Sequence, residues 1–254
     1  MEYKSWHRKY PKYDVRIDKL PIDSSWKELT KEKLFKNTLK NVNEYISEEL
    51  KEKHGQINFF PYPNLVFNAF NLTPLDKVKV VILGQDPYPK MENKIPQAMG
   101  LSFSVQKDIN IPSSLRNIYK NLLKNGHIKK YPEHGDLTSW AKQGCLMINT
   151  AFTVKEGIPN SHEHLWKGLS NITIQHISEN TENTAFVLWG KNSLSKLPLI
   201  DQKKHKIFIS SHPSGLSCAK KMQSYESFND SDNFGKVNEY LKKHNKDQID
   251  WNII

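Results

Sequence analysis

Four short apolar runs, set apart by helix-like sequence, constrain this chain most. They are residues 78–83 (VKVVIL), 145–148 (CLMI), 185–189 (AFVLW) and 207–209 (IFI). Each is too short for a typical helix and rich in Val, Ile, Leu or Phe, the pattern of strands covered on both faces. Between and around them lie segments with apolar residues three and four apart. One runs from 25 to about 54 (Trp26, Leu29, Leu34, Phe35, Leu39, Val42, Tyr45, Ile46, Leu50). Others cover about 114–124, 163–179 and 234–243. Strands alternating with helices predict an α/β fold of three αβα layers, with a central, mainly parallel four-stranded sheet flanked by helices. A length of 254 residues suits one such domain. The expected organisation is a basic, irregular N-terminal arm over 1–24 and a single domain over 25–254.

The residues just beyond each run matter more than the runs themselves. The first run ends in Gly84-Gln85-Asp86-Pro87-Tyr88 and the second in Asn149-Thr150. The third ends in Trp189-Gly190-Lys191-Asn192 and the fourth in Ser210-Ser211-His212-Pro213-Ser214-Gly215. Open α/β sheets bind ligands at the carboxyl ends of their strands. If the four runs are parallel, Asp86, Asn149 and His212 collect at one edge. Taken singly, each has a plainer reading. Asp-Pro is a common turn, a post-strand Asn can cap the next segment, and His-Pro-Ser-Gly is turn-like. Together, a carboxylate, an imidazole and an amide can orient water, polarise a leaving group and read a polar edge.

Other chemistries lack their residues. The phosphate-binding G-x-x-x-x-G-K-[ST], the nucleophile elbow G-x-S-x-G, the zinc motif H-E-x-x-H and the zinc-deaminase signature are all absent from the sequence. His162-Glu163-His164 has no further ligand nearby for a metal, so neither metal nor cofactor is expected. Cys145 and Cys218 form no C-x-x-C pair, and a reducing compartment is expected. No apolar run approaches the ~20 residues of a membrane span. The N-terminus lacks a signal peptide's apolar stretch. The expected location is intracellular, cytoplasmic or nuclear, with no membrane partner. Lys+Arg is 37 against Asp+Glu 27, a formal net charge of +10. Such an excess favours polyanions, nucleic acid among them.

The motifs GQDPY at 84–88 and HPSGLS at 212–217 resemble the two signatures of family 1 uracil-DNA glycosylases. The likeness extends to FNAF at 67–70, Gln97-Ala98, GLSFSV at 100–105, PSSL at 112–115 and LMINT at 146–150. It continues through NSH at 160–162, Trp189-Gly190 and IDW at 249–251, and so covers roughly 25–251. The resemblance implies a hydrolase that flips uracil out of DNA, cleaves its N-glycosidic bond and leaves an abasic site for base excision repair. It implies that Asp86 orients the attacking water and that His212 donates to the uracil oxygen gaining charge. Gln85, Tyr88, Phe103 and Asn149 would bind uracil, with Phe103 stacking, Asn149 reading the edge and Tyr88 excluding the thymine methyl. Ser114, Lys191, Ser214, Ser217 and Lys220 would grip the DNA backbone, and Leu216 would wedge into the vacated stack. The implied partners are uracil-containing DNA, single- or double-stranded, replication or repair proteins, and a proteinaceous inhibitor of such glycosylases. The chain is expected to be a monomer. The other reading is a DNA-binding or polymerase-accessory protein that keeps this fold with catalysis secondary.

The chain departs from the family pattern in places. Pro89 stands where a histidine is usual, Gly215 where a proline is, and Lys191 where a serine is common. Residues 90–96 and 223–233 are longer than usual. The second stretch carries Glu226, Asp230 and Asp232 beside the expected DNA face, and is expected to loop away from the duplex.

Overall fold

The computed structural model describes residues 4–253. The four apolar runs become β1 (Val80–Gly84), β2 (Cys145–Asn149), β3 (Ala185–Trp189) and β4 (Lys206–Ser210). They form one sheet in the order β2-β1-β3-β4, with every pair parallel. β1 and β3 are buried along their full length, which is why their sequences run apolar without alternation. Gly84 pairs with Asn149, Leu83 with Leu188 and Trp189 with Ser210, so all four strands end level. From β1 the chain moves to one neighbour, and from β3 it moves away on the other side. The crevice of such a sheet opens where the order reverses, at the carboxyl ends of β1 and β3.

Helices flank the sheet. α1 (Lys33–Glu52) buries Phe35, Leu39, Val42, Ile46 and Leu50 along one stripe and packs on α3 (Glu163–Asn180). α2 (Ser113–Lys124) buries Leu115, Ile118, Tyr119 and Leu122. α4 (Asn233–Lys243) buries Phe234, Val237 and Leu241, and Asp232 caps it by accepting the Gly235 N–H at 2.9 Å.

The helix expected from 25 to 54 is broken at Glu32, whose backbone is extended; a short helix, Lys27–Lys31, precedes it. The break lets Trp26 turn inward, where it is fully buried and its Nε1 donates to the Phe70 and Thr73 carbonyls at 3.2 Å. At the far end His54 takes a left-handed conformation. Its N–H bonds the Lys51 carbonyl and that of Gly55 bonds Leu50, a Schellman closure.

The N-terminal residues, expected as an irregular arm, pack into the main core. Trp6, Tyr10, Val15, Ile17 and Leu20 are buried, and Trp6 Nε1 donates to the Pro61 carbonyl at 3.1 Å. The backbone N–H groups of Val15 and Ile17 bond Ser47 Oγ and Asn43 Oδ1 on α1. The segment holds only a single helical turn, Trp6–Lys9, and a 3-10 turn, Ile17–Lys19, too short to set a sequence period, so composition spoke louder than burial. Residues 91–96 form a small antiparallel hairpin turning at Asn93 and Lys94, both left-handed. Within residues 223–233, Ser227, Phe228 and Ser231 are buried against the domain, while Gln223, Ser224, Glu226 and Asp230 are exposed. No helix among the described residues is long and apolar enough to cross a membrane.

Candidate active site

The site is assembled from the turns that leave the four strands. Gly84 ends β1 because only a glycine fits: a Cβ there would collide with Asn149 Oδ1 and stand 2.7 Å from Ser102 Cβ. The turns after β1 and β2 are laced together. Thr150 N–H donates to the Gly84 carbonyl (3.1 Å), while the Gln85 carbonyl accepts from Thr150 Oγ1 (2.8 Å) and Ala151 N–H (3.0 Å). Asp86 and Asn149 are thereby held on adjacent strands with little freedom to drift apart.

Asn160 secures the acid. Its backbone N–H donates to Asp86 Oδ2 at 2.7 Å, and its Oδ1 accepts from Gln85 Nε2 at 2.6 Å. Asn160 does this from a left-handed backbone, φ 62°, which Asn tolerates better than most residues. Burial pushes the Asp86 carboxyl above its ordinary pKa, and the Asn160 N–H opposes that by favouring the charged form. Pro89, which had no role to inherit, offers its carbonyl to the Gly157 N–H at 2.7 Å and so ties the same loop down.

The opposite wall is aromatic. Phe103 lies edge-on to Trp189 (centroids 5.5 Å) and tilted to His212 (5.8 Å), on a left-handed backbone of φ 63°. Tyr88 Oη donates to the Phe103 carbonyl at 3.3 Å, and burial raises its phenol pKa. Ser102 N–H bonds the Met147 carbonyl (3.1 Å), so the Phe103 turn is stitched to β2.

His212 follows β4. Its Nδ1 accepts the Ser214 N–H at 3.0 Å, and burial lowers its pKa to about 4. The ring is therefore neutral near pH 7, and with Nδ1 accepting, its proton sits on Nε2. Gly190, at φ 87°, permits this placement, since a Cβ there would stand 2.9 Å from His212 Cβ.

Gln85, Asp86, Tyr88, Phe103, Ser114, Asn149 and His212 line one cavity of about 160 Å³, together with Pro89 and Pro159. Lys191, Ser214, Ser217 and Lys220 line an adjoining groove of about 750 Å³ that shares Gln85 and His212 with it. Leu216 lines neither. It is 85% exposed at the tip of the loop between them. The residues singled out for base and for backbone thus fall into two connected spaces, except that Ser114, expected at the backbone, lines the base cavity. Asn192, Lys221 and Gln223 also line the groove, and Asn160 braces the acid; none of these was assigned a role from sequence. Asn160 stood inside a noted motif, but a backbone N–H aimed at a carboxylate leaves no trace in residue type. Among the described residues no cluster of three or more His, Cys, Asp or Glu is placed to hold a metal. His162 is buried, with Nδ1 2.8 Å from Thr153 Oγ1 and its pKa lowered to about 3 by burial.

A model of the Uracil DNA glycosylase superfamily matches residues 70–242. The uracil-DNA glycosylase of Campylobacter concisus is 42% identical over 240 residues, 94% of this chain and 97% of that one. The crystal structure of mimivirus uracil-DNA glycosylase superposes with a TM-score of 0.91 at 37% identity, covering 100% of this chain and 95% of that chain. A variant of the same viral protein, solved in complex with UGI, gives 0.92 at 38%, covering 100% and 97%. With the sheet order, the level strand ends and the two connected spaces already pointing one way, the chain belongs to the uracil DNA glycosylase superfamily.

Proposed function

We propose that this chain is a uracil-DNA glycosylase that hydrolyses the bond between uracil and deoxyribose in DNA, with each residue acting from the position described above. The flipped base enters the small cavity and stacks on Phe103. The Asn149 amide offers both a donor and an acceptor to the uracil edge and mismatches cytosine. Tyr88 fills the space a thymine methyl would need. As the glycosidic bond breaks, the electron pair stays with the base and the sugar becomes oxocarbenium-like. His212 Nε2–H donates to the uracil oxygen where charge develops, an interaction of a kind worth ~3 kcal/mol. The Asp86 carboxylate favours the cationic sugar and orients the water that adds to it. Uracil leaves as an anion, the sugar keeps the hydroxyl, and the water's other proton passes to the Asp86 carboxylate and on to solvent. Flipping costs a few kcal/mol, and Leu216 offsets part of it by filling the vacated stack. Lys191, Lys220, Ser114, Ser214 and Ser217 hold the backbone and carry no base information.

The observation that carries this reading is the His212 tautomer. A Ser214 N–H on Nδ1 leaves a neutral ring with its one proton directed from Nε2. A UGI-like inhibitor protein is a proposed partner, by likeness to the viral complex. The chain is proposed to act as a monomer inside the cell, where its two free, buried thiols stay reduced. Incubating it with a uracil-containing oligonucleotide and chelator, then cleaving abasic sites with alkali, should break the strand at uracil. DNA binding without breakage would favour the accessory reading instead.

A further inference from the structure

Leu216 presents a problem of mechanics. It is 85% exposed, beside a glycine, on a loop whose internal bonds include those of Ser217 and Cys218 N–H to the Ser214 carbonyl. A side chain asked to enter a base stack from such a loop must be ordered beforehand, or the ordering cost falls on binding. We propose that Asn117 is a positioning residue for this loop, and that residues 226–231 form a frame that holds it from behind. The proposal rests on the reading of Leu216 as the wedge.

Three residues hold the loop from outside. Asn117 Nδ2 donates to the Pro213 carbonyl at 2.8 Å and to Cys218 Sγ at 3.4 Å. Ser211 Oγ donates to the Ser217 carbonyl at 3.0 Å while accepting the Phe228 N–H at 2.9 Å. Asn229 N–H donates to the Cys218 carbonyl at 2.9 Å. The frame is itself fixed by the same helix. Asn121 Nδ2 donates to the Phe228 and Ser231 carbonyls, both at 2.9 Å, and Lys124 Nζ donates to the Asn229 carbonyl at 2.8 Å. Asn117, Asn121 and Lys124 are four and three residues apart, so they share one face of α2. That face grips loop and frame through their carbonyl oxygens, while Phe228 is buried edge-on against Trp189 at 5.2 Å.

The frame also accounts for the carboxylates that looked misplaced beside DNA. Glu226 pairs with Lys236 (3.4 Å), Asp230 accepts from Ser227 Oγ (2.5 Å), and Asp232 caps α4 and meets His127 Nε2 (2.7 Å). Each has a partner within the chain.

The test compares uracil release from duplex and from single-stranded DNA of the same sequence under single-turnover conditions, with melting temperature measured alongside. Asn117→Leu keeps the branching and heavy-atom count and removes the donor. Ser211→Ala removes a second, independent tie if the first variant folds poorly. Losing one such bond should slow the duplex reaction about tenfold more than the single-strand reaction. In a Leu216→Ala background, where no wedge remains to misplace, the added duplex loss should shrink to under about threefold. Equal losses on both substrates, or a duplex loss undiminished in the Leu216→Ala background, would overturn the frame and leave only a folding role. If Leu216→Ala alone slows both substrates equally, the wedge reading fails and takes the frame with it.

Discussion

At the scale of single residues, the site depends on groups held by backbone as much as by side chain. Asp86→Asn and His212→Leu should each cut turnover by about two orders of magnitude or more with the fold intact; near-normal single-turnover rates would refute their roles. Asn160→Ala should lower the rate by less, because the N–H to Asp86 survives, yet it strains the left-handed backbone and drops the Gln85 clasp. Asn160→Gly keeps that backbone conformation, so a rate restored above that of the alanine variant would separate conformation from clasp. The pH dependence has a definite sign. The pKa of His212 is lowered from 6.5 to about 4, so the folded protein holds it neutral while the unfolded chain takes a proton. Stability is thus lost as pH falls from about 6.5 to about 4, and a His212→Asn variant should lose less over that window, as thermal melts would show. By the same placement His212 contributes no limb to the rate profile near pH 6.5. A limb there that vanishes in the His212 variant would contradict the neutral donor. That Asp86, Asn149 and His212 gather at one edge was legible in the sequence, because each lies at or just beyond the end of an apolar run. The tautomer was not, since it depends on where the Ser214 N–H points.

At the scale of elements, the wedge loop and the lysine groove carry the predictions. Ser217 N–H bonds the Ser214 carbonyl, which places Gly215 at the second position of a turn, where proline is favoured. Gly215 keeps no left-handed φ, and a Cβ there meets Ser113 Oγ only at 3.4 Å. Gly215→Pro should therefore stabilise the protein by about 0.5 kcal/mol through the unfolded chain, read as a higher melting temperature, and should leave activity on duplex DNA undiminished. Lys191, Lys220 and Lys221 line one groove. Replacing any of them with alanine should weaken DNA binding regardless of sequence. It should also reduce the slope of log K against log salt by about 0.9 for each phosphate no longer neutralised. An unchanged slope would remove that lysine from the interface. Strand positions were readable to within two residues, because β1 and β3 are buried on both faces and so apolar throughout, and β2 and β4 keep a short apolar run beside them. The break in the first long helix was not, since both halves carry the same spacing and only the burial of Trp26 demands the turn at Glu32.

At the scale of the whole molecule, the first 24 residues belong to the fold more than their composition suggests. Trp6 and Ile17 are buried in the main core. Removing residues 1–24, or changing Trp6→Ala, should destabilise the protein; loss of a buried tryptophan costs about 3–5 kcal/mol, measurable as a lowered denaturation midpoint. A truncated protein as stable as the full chain would restore the free arm. The sequence by itself determined the architecture and the chemistry. Apolar runs of strand length between helical periods dictate a parallel sheet, and the polar residues at their ends must gather at one edge, because side-by-side parallel strands end together. Tertiary structure alone decided what each of those groups can do. It set the ring nitrogen that carries the His212 proton, the clasp of Asn160 on Asp86, the burial of Ser227, Phe228 and Ser231 and the anchoring of the N-terminus. Those depend on backbone carbonyls, which every residue carries, and N–H groups, which all but proline carry, and on contacts between segments about a hundred residues apart, as from Asn117 to Pro213. Residue type cannot encode them singly; the fold arranges them.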